Sequence, residues 1–117
     1  MRVLVCGCRH WTDESAISRE LDSLGSEVSL VIHGGAKGAD TLAGRAADTL
    51  GVEVDVYHAD WDFYGRSAGP IRNKRMLVDG RPDLVLAFHP DIDASRGTKN
   101  MVKNARAAGV RVLTFSS

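Results

Sequence analysis

The hydrophobic and polar residues of this chain alternate between short apolar runs and longer amphipathic segments. The apolar runs predict five β-strands, at residues 3–6, 28–33, 52–56, 83–88 and 110–115. Helices are predicted between them, near residues 12–24, 39–51, 70–80 and 98–108. Because short loops and right-handed crossovers leave few ways to pack this order, the pattern predicts an α/β fold, a doubly wound parallel five-stranded sheet with helices on both faces. We expect residues 1–117 to form one domain.

Two segments depart from the regular pattern. In residues 52–56 three valines alternate with two acidic residues, which predicts a strand with one solvated face, typical of a sheet edge. Residues 59–69 form the longest irregular stretch and contain aromatic residues and Arg66. A loop of this length and composition favours a functional role. Pro70 suits the first position of the helix that follows.

A glycine-rich turn follows the second strand. Gly34, Gly35 and Gly38 come directly after buried apolar residues, and a helix is predicted from Ala39. Glycine lets backbone N–H groups approach a ligand, and the first N–H groups of a helix have no partner within it. The segment from Gly34 to Asp40 therefore predicts a phosphate or anion cradle. The alternative is a tight turn that uses glycine for its geometry alone, since the segment matches neither the P-loop nor the GxGxxG pattern.

The residues that follow the first four strands should share one edge of the sheet, where doubly wound folds bind ligands. Arg72, in the first turn of a helix, suits a phosphate or carboxylate, and Gly97 and Thr98 offer a second anion contact or a simple N-cap. Trp61 can stack on a base or seat its own loop, and Asp40 can bond a ribose or cap its helix. The predicted ligand-binding residues are Gly7, Arg9, Gly34, Gly35, Ala36, Lys37, Gly38, Asp40, Trp61, Arg72, Asn73, Gly97 and Thr98.

Composition limits the classes of partner. Lys and Arg together number 15, as do Asp and Glu, so nucleic acid is not an expected partner. Cys6 and Cys8 are too close in sequence for good disulfide geometry, which favours a reduced, cytoplasmic protein. No apolar run is long enough for a membrane span, and we expect no signal peptide and no cofactor. Apolar helix faces could support a homo-oligomer.

All four histidines lie at the predicted strand ends. Two or three imidazoles with Asp60 or Asp62 could come within metal-binding distance. The alternative is that each histidine bonds loop backbone or reaches solvent. Because the chain has no HxH or HExxH spacing, we predict no metal site.

Several motifs along nearly the whole chain resemble one protein family. They are GCRHWTD, HGGAKGADTLA, ADWDFYGRSAGPIRN, and DLVLAFHP followed by RGTKNMVKNA. In order and spacing they resemble the YspA-like, cpYpsA-related branch of the SLOG superfamily. The resemblance implies a Rossmann-like fold that is proposed to bind nucleotides or nucleotide-derived ligands. The superfamily also includes the Lonely Guy phosphoribohydrolases and the DNA-processing protein A group, which binds single-stranded DNA.

The phosphoribohydrolases carry an Arg-Lys pair four residues before a methionine and a PGGxGTxEE motif, and the arginine and the first Glu serve catalysis. Arg72 and Met76 have the same spacing here, and residues 97–98 match the Gly-Thr pair. The position of the Glu is occupied by Asn100, whose amide cannot ionise to act as a base or stabilise an oxocarbenium ion.

The leading hypothesis is a domain that binds a nucleotide or nucleotide-derived small molecule through a glycine-rich phosphate cradle, as a sensor or ligand-processing domain. One alternative is a hydrolase that cleaves an N-glycosidic or phosphate bond of a nucleotide. Its candidate catalytic residues are Arg72, Asp60 and Asp62, with Asp40 as a further candidate for the missing carboxylate. The other alternative is a regulatory module that binds a protein or single-stranded DNA.

Overall fold

The computed structural model describes residues 1–117 as a five-stranded sheet with helices packed around it. The strands are β1 (Arg2–Gly7), β2 (Leu30–His33), β3 (Glu53–Val56), β4 (Leu84–Phe88) and β5 (Arg111–Phe115). The helices are α1 (Glu14–Leu24), α2 (Ala39–Leu50), α3 (Trp61–Tyr64), α4 (Ala68–Val78) and α5 (Gly97–Ala107). Short 3-10 turns lie at Gly25–Glu27, Gly65–Ser67 and Ile92–Ala94.

All five strands run parallel, in the order β3-β2-β1-β4-β5. The chain moves outward from β1 to β3, crosses back, and continues through β4 to β5 on the other side of β1. The predicted doubly wound parallel sheet is confirmed, and β3 lies at an edge as its alternating pattern predicts. The reversal of order between β1 and β4 opens a crevice at the carboxyl ends of these strands.

Helices cover both faces because the central strands are apolar on both sides. Val3 and Val5 of β1 pack with the buried residues of α1 and α2. Leu4 and Cys6 pack with those of α4 and α5 on the opposite face. A one-residue slip of β1 would exchange the two sets, so this packing fixes the register of the strand and the place where it ends.

The segment between β3 and α4 differs from its prediction as an irregular loop. Asp60 caps the one-turn helix α3, since its Oδ1 accepts the N–H of Phe63 at 3.1 Å. The helix α4 begins at Ala68, two residues before the predicted start at Pro70. Pro70 is the third residue of α4, where the backbone N–H has no acceptor within the helix, so proline removes no hydrogen bond there.

None of the five helices has the length and apolar content that a membrane crossing requires. Both cysteines are free thiols.

Candidate functional site

A cleft of about 650 Å³ opens at the carboxyl ends of the strands, where the strand order reverses. Its volume lies within the range of roughly 300–1,000 Å³ that is usual for small-molecule sites. Its walls come from the end of β1, the turn before α2, the segment from α3 to α4, and the start of α5. The lining residues are Cys6, Gly7, Cys8, Arg9, His10, Ala36, Asp40, Trp61, Arg66, Gly69, Pro70, Arg72, Asn73, Met76, His89, Ser95, Arg96, Gly97, Thr98 and Asn100.

Gly7 allows three elements to meet beneath the cleft. The N–H of the next residue, Cys8, donates to the carbonyl oxygen of Phe88 at 2.8 Å and so joins the ends of β1 and β4. A Cβ atom at Gly7 would collide with that carbonyl oxygen and lie 2.9 Å from the Cβ of Ala39, at the start of α2. Only glycine therefore lets β1, β4 and α2 approach this closely.

The charges that line the cleft are mostly positive. Its charged side chains are Arg9, Arg66, Arg72, Arg96 and Asp40. None of the four arginines forms a salt bridge, because the one ion pair of the structure joins Arg45 and Glu14 elsewhere, with an N···O distance of 3.4 Å. With four unpaired cations beside a single carboxylate, the cleft is locally positive although the chain carries no net charge.

Arg72 is held in place by the glycine turn and by its own neighbour on α4. Its Nη1 donates to the carbonyl oxygen of Gly34 at 2.7 Å, and its Nε donates to Oδ1 of Asn73 at 3.1 Å. A Cβ atom at Gly34 would lie 2.7 Å from Cζ of Arg72, so glycine makes room for the guanidinium. A guanidinium has five N–H donors, which leaves three without an acceptor in the protein.

Asp40 lies in the first turn of α2 and accepts two hydrogen bonds from the glycine turn that precedes this helix. Its Oδ2 accepts the N–H of Gly34 at 3.0 Å and that of Ala36 at 3.3 Å. The residue is only 6% exposed. Burial raises the pKa of the Asp40 carboxyl from 3.8 to about 6, although the two N–H groups and Arg72 act in the opposite direction.

Most backbone donors of the glycine turn are already used within the protein. Besides the two that bond Asp40, the N–H of Gly35 donates to Nδ1 of His33 at 3.0 Å. The N–H of Ala39 donates to the carbonyl oxygen of Cys8 at 3.1 Å. The glycine pattern predicted an open anion cradle, but these four N–H groups instead hold the turn that supports Arg72 and Asp40.

A chain of side-chain amides joins α4 to α5. Nδ2 of Asn73 donates to the carbonyl oxygen of Gly97 at 3.2 Å and to Oδ1 of Asn100 at 3.0 Å. The same Oδ1 accepts a second bond from Nδ2 of Asn104 at 3.3 Å. Asn100, at the position of the phosphoribohydrolase Glu, therefore holds the two helices together through its side-chain oxygen.

Trp61 is the aromatic side chain that borders the cleft. It is 59% exposed, and its ring packs over Gly69 closely enough that a Cβ atom there would lie 3.3 Å from it. Phe63 and Tyr64 pack against each other edge to face, with ring centroids 4.7 Å apart, and do not line the cleft. The helix α3 buries none of its residues, so Trp61 is an open surface at the rim.

The cleft brings together nine of the predicted ligand-binding residues. They are Gly7, Arg9, Ala36, Asp40, Trp61, Arg72, Asn73, Gly97 and Thr98. Gly34, Gly35 and Lys37 do not line it. Gly38 borders a neighbouring depression of about 440 Å³, which shares Arg9 and His10 with the cleft.

Two of the predicted catalytic residues lie outside the cleft. Asp60 caps α3, and Asp62 is exposed in the first turn of that helix. Two arginines that were not predicted to bind ligand, Arg66 and Arg96, do line the cleft. For Arg96 the sequence carried a signal, because it precedes the Gly-Thr pair that begins α5. For Arg66 the signal was its place in the irregular stretch 59–69, which does not show which way the side chain points.

Two of the four histidines accept backbone N–H groups, and no group of three or more His, Cys, Asp or Glu side chains is placed to hold a metal ion. Nδ1 of His33 accepts the N–H of Gly35, and Nδ1 of His89 accepts the N–H of Asp91 at 2.9 Å. Burial, together with the nearby His58 and Arg72, lowers the pKa of His33. His33 is therefore kept neutral and can accept that N–H.

A further cavity of about 340 Å³ lies at the other end of the sheet, between the last turns of α1 and α2. Most of its lining is apolar, and Asp22 is its only charged side chain. It has no cation for a charged ligand, so we take the arginine-lined cleft as the candidate site.

A parallel five-stranded sheet with helices on both faces and a cleft at the reversal of its strand order defines a Rossmann-like protein. A family model described as the YspA, cpYpsA-related SLOG family matches residues 1–64. The gene 61 protein of Mycobacterium phage D29 is 35% identical over an alignment of 125 positions, which covers 97% of this chain and 95% of that protein. The chain therefore belongs to the YspA, cpYpsA-related SLOG family, and the resemblance seen in its motifs is confirmed.

The fold also resembles that of DNA processing protein A (DprA) from Streptococcus pneumoniae. The two structures superpose with a TM-score of 0.59 over 98% of this chain, at 16% sequence identity. This chain spans 59% of the length of the DprA chain. At this identity the similarity is one of fold alone.

Proposed function

We propose that this protein binds a nucleotide or nucleotide-derived small molecule in the arginine-lined cleft. The observation that carries the proposal is the set of four arginines without carboxylate partners around a cleft of ligand size. Membership of the SLOG family is consistent with binding of this class of ligand.

The phosphate is best accommodated between α4 and the start of α5. Arg72 has three donors free on a guanidinium that two hydrogen bonds already orient, so little side-chain entropy is lost on binding. Gly97 and Thr98 are in the first turn of α5, where backbone N–H groups have no partner within the helix and the helix dipole is positive. The glycine turn before α2 is a weaker candidate, because four of its N–H groups have acceptors in the protein.

The base is best accommodated against Trp61. Its ring is exposed at the rim and borders the same cleft as Arg66 and Arg72. Stacking of a base on an aromatic ring contributes about 1–3 kcal/mol and tolerates different bases. The site should therefore bind the phosphate and sugar that all nucleotides share and discriminate only weakly between bases.

Binding is favoured over hydrolysis by the amide chain at the start of α5. Asn100 has no ionisable group, and its oxygen already accepts bonds from Asn73 and Asn104. If turnover occurs, Asp40 is the carboxylate that lines the cleft, since Asp60 and Asp62 do not.

The test is a thermal-shift panel of nucleoside monophosphates, diphosphates and triphosphates, NAD and ADP-ribose, with each bound ligand then analysed by chromatography. A ligand at a hundred times its dissociation constant stabilises the folded state by about 2.7 kcal/mol. Arg72→Ala should abolish the shift. Arg19→Ala, at an exposed position of α1 remote from the cleft, is the matched control and should retain it.

The outcomes separate the possible activities. A shift with intact ligand supports a sensor, whereas a product peak supports a nucleotide hydrolase. No shift with any nucleotide, together with binding of a labelled single-stranded oligonucleotide, would overturn the proposal in favour of nucleic-acid binding.

A further inference from the structure

The two oxygens of the Asp40 carboxylate have different surroundings. Oδ2 accepts both N–H groups of the glycine turn, from Gly34 and Ala36. Oδ1 makes no hydrogen bond. No fully buried side-chain oxygen or nitrogen in the structure lacks a partner, so Oδ1 is in contact with open space. Asp40 lines the cleft and is only 6% exposed as a whole residue, so we take that space to be the cleft.

We propose that Oδ1 of Asp40 accepts a hydrogen bond from a ribose hydroxyl of the ligand, and that Asp40 thereby selects ribose and sets the direction in which the ligand binds. This inference rests on the proposed function, since it concerns the same cleft. The ribose would lie against the glycine turn, and the phosphate would lie across the cleft against Arg72 and the start of α5.

A hydroxyl donor is the group that fits this oxygen. An ionised carboxylate only accepts hydrogen bonds and repels phosphate, so the phosphate is directed away from α2. A metal ion is not a good alternative, because no group of three or more His, Cys, Asp or Glu side chains is placed to complete a coordination shell. Hydroxyls on the ribose are the neutral donors that all ribonucleotides share.

The geometry also explains why the selection should be strong. Asp40 lies in the first turn of α2, and its Oδ2 is fixed by the N–H groups of Gly34 and Ala36. Oδ1 therefore cannot rotate away to reach another donor. A ligand that lacks the hydroxyl leaves this charged oxygen without a partner in a site from which the ligand excludes water. The loss of a hydrogen bond to a charged group corresponds to roughly a 10- to 100-fold loss of affinity.

The experiment measures, by titration calorimetry at pH 7.5, the affinities of AMP and GMP and of their 2′-deoxy and 3′-deoxy analogues. Wild-type protein should bind the ribonucleotides roughly 10- to 100-fold more tightly than at least one deoxy series. In Asp40→Asn the amide oxygen can still accept the N–H groups of Gly34 and Ala36, while an NH₂ group replaces Oδ1. This variant should lose the preference for ribose and bind inorganic pyrophosphate at least as tightly as wild type, because a charge that repels phosphate is removed. Asp48→Asn, exposed near the end of the same helix, is the control and should behave as wild type.

The comparison on wild-type protein tests the inference even if Asp40→Asn does not fold. Equal affinity for ribo- and deoxyribonucleotides, with binding that Arg72→Ala abolishes, would overturn the role of Asp40 and leave the proposed function intact. A preference between AMP and GMP that Asp40→Asn abolishes, with no effect of the sugar, would assign Oδ1 to the base and would also overturn it. If wild-type protein binds no nucleotide, both the proposed function and this inference fail.

Discussion

Replacing Gly34 with alanine should displace the Arg72 guanidinium from the cleft, because the three heavy atoms nearest to the added Cβ all belong to that side chain. The alanine Cβ would lie 2.7 Å from Cζ and 3.0 Å from Nε of Arg72, well inside van der Waals contact. The backbone at Gly34 does not have a positive φ, so alanine introduces no conformational strain of its own. The added methyl group and the guanidinium cannot both keep their positions, and Arg72 can move outward into solvent.

The magnitude follows from the hydrogen bonds that Arg72 would lose. Its bond to the carbonyl oxygen of Gly34 is 2.7 Å long and involves a charged donor, for which a net contribution of about 1.5–3 kcal/mol is usual. Replacing glycine with alanine at a compatible backbone position stabilises a protein by about 0.4–1 kcal/mol through the unfolded chain. Gly34→Ala should therefore lower the free energy of unfolding by about 1–2 kcal/mol.

A double-mutant cycle with Arg72→Ala isolates the steric contact, and urea unfolding of the four proteins provides the free energies. In the Arg72→Ala background the methyl group has nothing to displace, so Gly34→Ala should be neutral or slightly stabilising. The coupling should amount to about 1.5–3 kcal/mol, and Gly34→Ala alone should weaken nucleotide binding about as much as Arg72→Ala. If Gly34→Ala destabilises both backgrounds equally, Arg72 does not occupy the position described here.

Three further changes test the core and the glycine turn. The pKa of Asp40 is raised to about 6 in the folded protein, so between pH 7.5 and 4 the folded state binds a proton more readily than the unfolded chain does. As the pH falls through this window, the free energy of unfolding of wild type should rise by about 2–3 kcal/mol relative to that of Asp40→Asn. A difference that stays flat across urea titrations would contradict the buried carboxylate. Gly38→Ala should destabilise by at least about 2 kcal/mol, because φ is +76° and the methyl group would meet the carbonyl oxygen of Cys8; a near-normal melting temperature would show that the turn has room to relax. Phe88→Ala, at a fully buried ring, should lower the free energy of unfolding by about 3–5 kcal/mol, whereas Phe63→Ala, at a ring that is 77% exposed, should stay within about 0.5 kcal/mol in the same denaturation assay; similar losses for both would contradict this assignment of core and surface.

The fold could be predicted because its strongest determinants are local. Buried strands such as β4 are short apolar runs, and the alternation in β3 marks an edge strand whose two faces differ. The helix α3 was missed because four residues, WDFY, cannot show a helical period. Its only local signal is the spacing between Asp60 and Phe63, which are joined by the capping bond.

The site could be predicted in its position but only partly in its bonding. The position of the cleft follows from the strand order, and nine of the predicted ligand-binding residues line it. The partners of Asp40 and Arg72 depend on the direction of side chains from α2 and α4, and the two residues themselves are 32 positions apart in sequence. Neither the pairing of Arg72 with Gly34 nor the use of the turn's N–H groups by Asp40 has a signal in the spacing of residues.

The two tryptophans differ so much in their surroundings that the protein carries two separate optical reporters. Trp11 is 8% exposed and meets the ring of Phe88 edge to face at 5.6 Å, whereas Trp61 is 59% exposed at the rim of the cleft. Iodide, a quencher that stays in water, should extinguish the emission of Trp61 and leave that of Trp11. A ligand that stacks on Trp61 would protect this residue from iodide without affecting Trp11. Unfolding would instead expose Trp11 and shift its emission. Occupancy and folding could then be followed in a single cuvette without a dye or a label.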